Sequence, residues 1–161
     1  MPRNLPRTLL ATSALIAIAT AAQAEDVTNA RTAPLRTSTI RNGAADAISV
    51  TSTGSVAITG GTAITQDSNH AVANAGAVTI ANANGAIGID SLAGTTGDLT
   101  NSGTITLEEP YQPTDTDNDG DVDGPFALGS NRTGMRTQGA HTGKLTQSGT
   151  IAVEGNDSAG L

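Results

Sequence analysis

Leu99-Thr100-Asn101-Ser102-Gly103-Thr104-Ile105-Thr106-Leu107 is the stretch on which the reading of this chain turns. After its glycine the residues alternate, Ile105 and Leu107 on one side and Thr104 and Thr106 on the other, the period-two pattern of a half-buried strand. Three further blocks align with it without gaps: Val50 to Ile58, Val72 to Ile80 and Leu145 to Val153. Each opens on an aliphatic residue and carries Gly54, Gly76, Gly103 or Gly149 in fifth place, with aliphatics in seventh and ninth. Glycine in that place predicts a tight corner or a positive φ, where a residue without Cβ is needed.

The blocks start 22, 27 and 46 residues apart, spacing that suits one coil of a solenoid per block with loops added to some coils. A looser motif lies between them: Asp46-Ala47-Ile48, Asn69 to Val72, Asn84 to Ile89, Arg132 to Met135 and Asp157 to Leu161. It is expected to form a second strand in each coil. The two motifs together predict an all-β chain folded as a parallel β-helix (β-solenoid), in which equivalent strands pair about 4.8 Å apart and four to six coils make a rod of roughly 20 to 30 Å. Disorder is the competing reading of so much Gly, Ser, Thr, Asn and Asp, and the phased aliphatic pairs count against it. A β-sandwich ranks lower, since its strands usually carry larger core residues and need not repeat.

Composition narrows the chemistry. The 161 residues hold one Tyr, one Phe, no Trp and no Cys, so any core is aliphatic and neither a disulfide framework, a thiol nucleophile nor a cysteine zinc site is available. A net charge of −7 argues against nucleic acid, whose phosphates require clustered cations.

Residues 1–24 have the form of a secretory signal peptide, with Arg3 and Arg7 ahead of an apolar run from Leu9 to Ala21 and the small-residue site Ala22-Gln23-Ala24. The run is too short for a transmembrane anchor, which takes roughly 20 apolar residues. Cleavage before Glu25 removes two cations and no acid, taking the net charge from −7 to −9. The organisation expected is a leader over 1–24, a lead-in over 25–44 and repeats over 45–161, with an acidic loop at 108–128. The chain stops at Gly160-Leu161, inside a second-strand motif and without a polar cap, as expected of an incomplete N-terminal fragment of a longer solenoid.

The acidic loop holds Glu108, Glu109 and the run Asp115-Thr116-Asp117-Asn118-Asp119-Gly120-Asp121-Val122-Asp123-Gly124. Pro110 and Pro113 keep its entry out of strand. The run matches D-x-[DN]-x-[DN]-G, the opening of a calcium loop, in which alternate oxygens turn inward and glycine makes the sharp turn. Asp115, Asp117 and Asp119 are the expected side-chain ligands, Asp121 contributes its carbonyl, and Asp123 takes the ninth position. Phe126 stands where the helical hand motif has its bidentate Glu, so the expectation is a looser Ca2+ site with Glu108 or Glu109 as further ligands. A solvated loop whose charge discourages edge pairing is the plainer alternative.

Catalytic signals are sparse. His70 and His141 sit in no metal-ligand spacing and are read as surface or corner residues. Ser158 lacks the glycine frame of G-x-S-x-G. Some secreted β-helix enzymes cleave acidic polysaccharides with calcium and a basic residue beside a groove, for which Arg132, Arg136 and Lys144 are the available cations. The threonines Thr51, Thr53, Thr104 and Thr106 form no regular array of an ice-binding kind.

The signal peptide, the Leu99 to Ile105 type of repeat and the loop from Asp115 to Gly124 followed by Pro125-Phe126-Ala127-Leu128-Gly129-Ser130 resemble the N-terminal passenger region of bacterial autotransporters, the type V secretion proteins. The resemblance covers nearly the whole chain after the leader. It implies export to the periplasm, transient contact with outer-membrane export machinery and display at the cell surface by a C-terminal β-barrel. That barrel is not in this sequence, since one Tyr and one Phe cannot supply its aromatic girdles. The expected function is a non-enzymatic, surface-exposed or secreted stalk or adhesive segment, its partner an unidentified surface glycan or protein. The alternative is a secreted calcium-dependent polysaccharide-active enzyme.

Overall fold

The computed structural model describes residues 24–161, so the expected leader lies, up to Gln23, outside the described residues. The regular structure of the described residues is all-β, in three parallel sheets. Sheet A contains β1 (Glu25–Val27), β4 (Ile48–Val50), β7 (Val72–Asn74), β10 (Leu99–Asn101) and β13 (Leu145–Gln147). Sheet B contains β2 (Ala30–Arg31), β5 (Ser55–Ile58), β8 (Ala77–Ala81), β11 (Thr104–Glu108) and β14 (Thr150–Val153). Sheet C contains β3 (Leu35–Arg36), β6 (Thr62–Gln66), β9 (Ile87–Ser91) and β12 (Thr133–Thr137).

The chain visits A, B and C in strict rotation, so each strand pairs with its equivalent one circuit earlier. Parallel neighbours need a long crossover, and here the other two sheets supply it. Register places Val56, Val78, Ile105 and Ile151 in one column of sheet B, and Ile58, Ile80, Leu107 and Val153 in another. These are the seventh and ninth positions of the sequence blocks. They join Ile48, Val72 and Leu99 of sheet A and Ile64, Ile89 and Met135 of sheet C in one aliphatic core, with Ile151 and Val153 packed half-buried against it. No helix of the described residues is long and apolar enough to cross a membrane.

Three details differ from the sequence reading. The first four circuits have three strands each, not two: Ile48 and Val72 of the looser motif belong to sheet A, whereas Ile87 and Thr133 start strands of sheet C. Both sites follow a polar turn with an aliphatic residue, which is why they look alike in sequence. The first block is also offset, because Ile48, not Val50, pairs with Val72, and Val50 pairs with Asn74. Two more residues fill its turn before Gly54. Lastly, residues 25–44, expected as a lead-in, contain β1, β2 and β3, which pair with β4, β5 and β6.

The repeated glycines act through stacking. None of Gly54, Gly76, Gly103 and Gly149 has positive φ. A Cβ on Gly76 would strike the carbonyl oxygen of Gly54, one on Gly103 that of Gly76, and one on Gly149 that of Gly103. The A-to-B corner is thus a column of glycines in backbone contact. Beside it runs a ladder of inward amides, in which Asn74 Nδ2 donates to Asn101 Oδ1 at 2.7 Å and Asn101 Nδ2 to Gln147 Oε1 at 2.9 Å. Asn74 and Asn101 are buried, and such groups are tolerated inside only when hydrogen-bonded.

Gly103→Ala is expected to destabilise the chain by about 1–3 kcal/mol in denaturant unfolding, the usual range for overpacking. Gly60→Ala, where a Cβ makes only ordinary contact with Ala83 Cβ at 3.5 Å, should stay within about 0.5 kcal/mol. Equal effects at the two sites would refute the stacking account.

Candidate functional site

β10 and β13 are direct neighbours, so the 46-residue gap between blocks is one circuit with a long insertion between β11 and β12. A polar clasp holds the base of that insertion. Glu109 accepts from the backbone N–H of Leu128 at 2.8 Å and of Gly129 at 2.6 Å. It also pairs with Arg132 Nη2 at 3.2 Å. The Arg132 side chain is only 2% exposed, and its remaining donors reach the carbonyls of Ala83 at 2.9 Å and Glu154 at 2.7 Å. One guanidinium therefore joins the loop to the circuits before and after it. Burial pushes the Glu109 carboxyl upward, but the amides of Leu128 and Gly129 together with Arg132 outweigh it and hold the group below its ordinary range.

Of the five aspartates expected as ligands, Asp115, Asp117 and Asp123 bring carboxylate oxygens within 4.8 Å of one another. Asp119, expected as a side-chain ligand, is not in that group; Asp121 is expected through its backbone carbonyl, which a grouping of carboxylates does not address. The Asp119 carboxylate instead accepts from the Asp121 N–H at 3.1 Å, and Asp115 accepts from Asn118 and Gly120 at 2.6 and 3.1 Å. Hydrogen bonds from the Thr116 hydroxyl and amide lower the pKa of Asp123. Of the further acids, Glu108 ends β11 and Glu109 is engaged in the clasp. Oxygen-only donors of this kind match the preference of Ca2+.

The arms of the insertion enclose a cleft of about 340 Å3 lined by Glu109, Tyr111, Gln112, Phe126, Glu154 and Asn156, among others. Both aromatic residues of the chain meet there, and Phe126 is 71% exposed. Asn156 Nδ2 donates to the Ala127 carbonyl at 2.8 Å and fixes one wall. The sequence reading passed over these two rings as evidence against an aromatic core. The available signal was their position, each beside a proline and together bracketing the acidic run. A second, shallow groove follows the glycine column and is lined by Ser52, Thr53, Ser102, Thr104, Ser148 and Thr150 with the glycines between them.

Arg136 makes paired contacts with Asp90 at 3.0 and 3.1 Å, which raise its pKa, and Lys144 is exposed. With Arg132 enclosed, the three cations do not form a shared basic groove. His70 and His141 lie in turns between sheets C and A. His141 Nδ1 is 3.0 Å from the Thr95 hydroxyl and 3.3 Å from that of Ser91, while its Nε2 is buried without a partner. Ser158 Oγ accepts from the Arg132 N–H and donates to the Asn156 carbonyl.

No protein-family model, curated protein or solved structure matches the chain.

Acid is expected to release the clasp. Because the Glu109 carboxyl is depressed in the folded chain, its contribution is present above the unfolded-state value, near 4.5, and is lost as pH falls through the lower folded value. Limited proteolysis within 110–128 should therefore be slow at neutral pH and accelerate at acidic pH, while Glu109→Gln should be cut quickly already at neutral pH. Equal cleavage of the two proteins at neutral pH would remove the clasp from the account.

Proposed function

We propose that the three sheets are the faces of a parallel β-helix and that the chain is a non-enzymatic, exported passenger segment of an autotransporter, acting at the cell surface as a stalk or adhesive face. The observation that carries this reading is the strict A, B, C rotation of strands with each column in register from circuit to circuit. That order builds an elongated scaffold by repetition, with stacked neighbours sharing one core. The three-part leader pattern over 1–24 supports export. The small polar side chains on the outer face of sheet B, such as Thr79 and Thr106, support a solvated exterior. The expected partners are the export machinery in transit, a downstream barrel translocator and a surface glycan or protein.

Expressed with its own leader in a Gram-negative cell, the chain should leave the cytoplasm and begin at Glu25 by mass spectrometry. A cytosolic product retaining Met1 would defeat the export step. Placed upstream of an autotransporter barrel, it should become accessible to added protease on intact cells, and retention in the periplasm would defeat the passenger assignment.

In this reading the acidic run binds Ca2+ through Asp115, Asp117 and Asp123, with carbonyls and water completing the six to eight oxygens the ion takes. Calorimetry should give a Kd of about 0.1–1 mM, the range of extracellular modules, and the double substitution of Asp115→Asn and Asp117→Asn should abolish the signal. No heat at millimolar calcium would leave the run a solvated insertion.

A further inference from the structure

The cleft at the root of the insertion holds a second kind of information. Phe126 is the most exposed large apolar side chain among the described residues, at 71%, in a chain whose core uses no ring at all. Core packing gives no reason for a phenyl group there. Tyr111, on the other arm, lines the same cleft. The walls also carry Glu109 and Glu154. Arg132 neutralises Glu109, whereas Glu154 forms no ion pair among the described residues, its carboxylate accepting only the Glu109 N–H at 3.1 Å. The cleft therefore combines two aromatic rings with one unneutralised carboxylate, and the insertion that forms it carries five aspartates between Asp115 and Asp123.

We propose that this cleft binds an arginine side chain of a basic polypeptide segment, with Tyr111 and Phe126 receiving the guanidinium and Glu154 pairing with its charge. A planar cation stacks on aromatic faces and sheds water more readily than an ammonium, so arginine is preferred to lysine. The wall that carries Phe126 is anchored before binding: Glu109 holds the backbone at Leu128 and Gly129, and Asn156 holds Ala127. That order lowers the entropy lost on association. The proposal stands apart from export and from calcium, because it uses neither the leader nor the three clustered aspartates.

The test is fluorescence anisotropy of the full chain with a labelled peptide of alternating arginine and glycine. Its controls are the same peptide carrying lysine or citrulline, the neutral isostere of arginine. Saturable binding is expected for arginine, weaker binding for lysine and none for citrulline. Phe126→Ala should weaken the arginine peptide by about tenfold, within the range of a cation on an aromatic face. Glu154→Gln, which keeps an oxygen for the Glu109 N–H, should weaken it by about fivefold, and thermal melts should match the parent in both variants. Equal binding of arginine and citrulline peptides would overturn the proposal. So would arginine binding that Phe126→Ala leaves unchanged, which would assign it to diffuse attraction by the acidic run. Binding of a neutral oligosaccharide that depends on Phe126, with the arginine peptide inert, would overturn it in favour of a sugar platform.

Discussion

The contact on which the remainder of the fold depends is glycine on glycine at the A-to-B corner. Gly54, Gly76, Gly103 and Gly149 stack so closely that a Cβ on any of the last three would enter the carbonyl oxygen of the glycine below. Repeating that contact aligns the four corners that carry the glycine and fixes where the following strand begins. Because the side-chain period of a strand is two, a slip of one residue would turn Val78, Ile105 and their neighbours outward. The corner therefore selects the face that becomes core. Thr104 N donating to the Gly76 carbonyl at 2.9 Å and Thr150 N to that of Gly103 at 2.8 Å show the ladder resuming directly after the column.

A chain without cysteine and almost without rings must find specificity elsewhere, and it finds it at the corners. Valine, isoleucine and leucine fill the interior but pack in many ways, whereas buried polar groups tolerate few arrangements. Asn74, Asn101 and Gln147 repeat one amide contact along the axis. Gln66, Ser91 and Thr95 form a second network at the C-to-A corner, with the Ser91 hydroxyl donating to Gln66 Oε1 at 2.6 Å and lying 2.8 Å from Thr95 Oγ1. Near the first circuit, Asp67 gathers Arg36, Thr37 and Ser38; burial raises its carboxyl, and these partners bring it below the ordinary value.

Much of this was legible in the residues and part of it was not. The columns of sheet B follow directly from alternation after the glycine, since Ile105 and Leu107 can share only one face. Sheet C was legible only in part: β9 and β12 fall in the looser motif, where they were merged with strands of sheet A, whereas β6 escaped because Thr62-Ala63-Ile64-Thr65-Gln66 presents a mixed pattern. Its strands combine small residues that let the sheets approach, as at Gly88 against Ile105 and Gly134 against Ile151, with polar residues that serve the corner. The two-residue offset at Val50 was hidden for a related reason: a valine replaces the ladder amide, so composition no longer marks the position. At the insertion, acid spacing located the cluster of Asp115, Asp117 and Asp123. It could not locate the clasp, because Glu109 and Arg132 are 23 residues apart and meet only through the fold.

The clasp explains how the insertion coexists with the stack. Carboxylates placed along a ladder would put like charges opposite one another in successive circuits, which is destabilising. Here the chain leaves after β11, gathers its acids outside the sheets, and is drawn together again at Gly129, where Arg132 leaves no room for a Cβ. Breaking either partner of an enclosed pair is far more harmful than its net contribution suggests, since the other charge is left uncompensated. Arg132 also binds the carbonyls of Ala83 and Glu154, so the same side chain that closes the loop secures the circuits on both sides. The loop's charge and its two rings are thereby free to face solvent without loosening the register that holds the core.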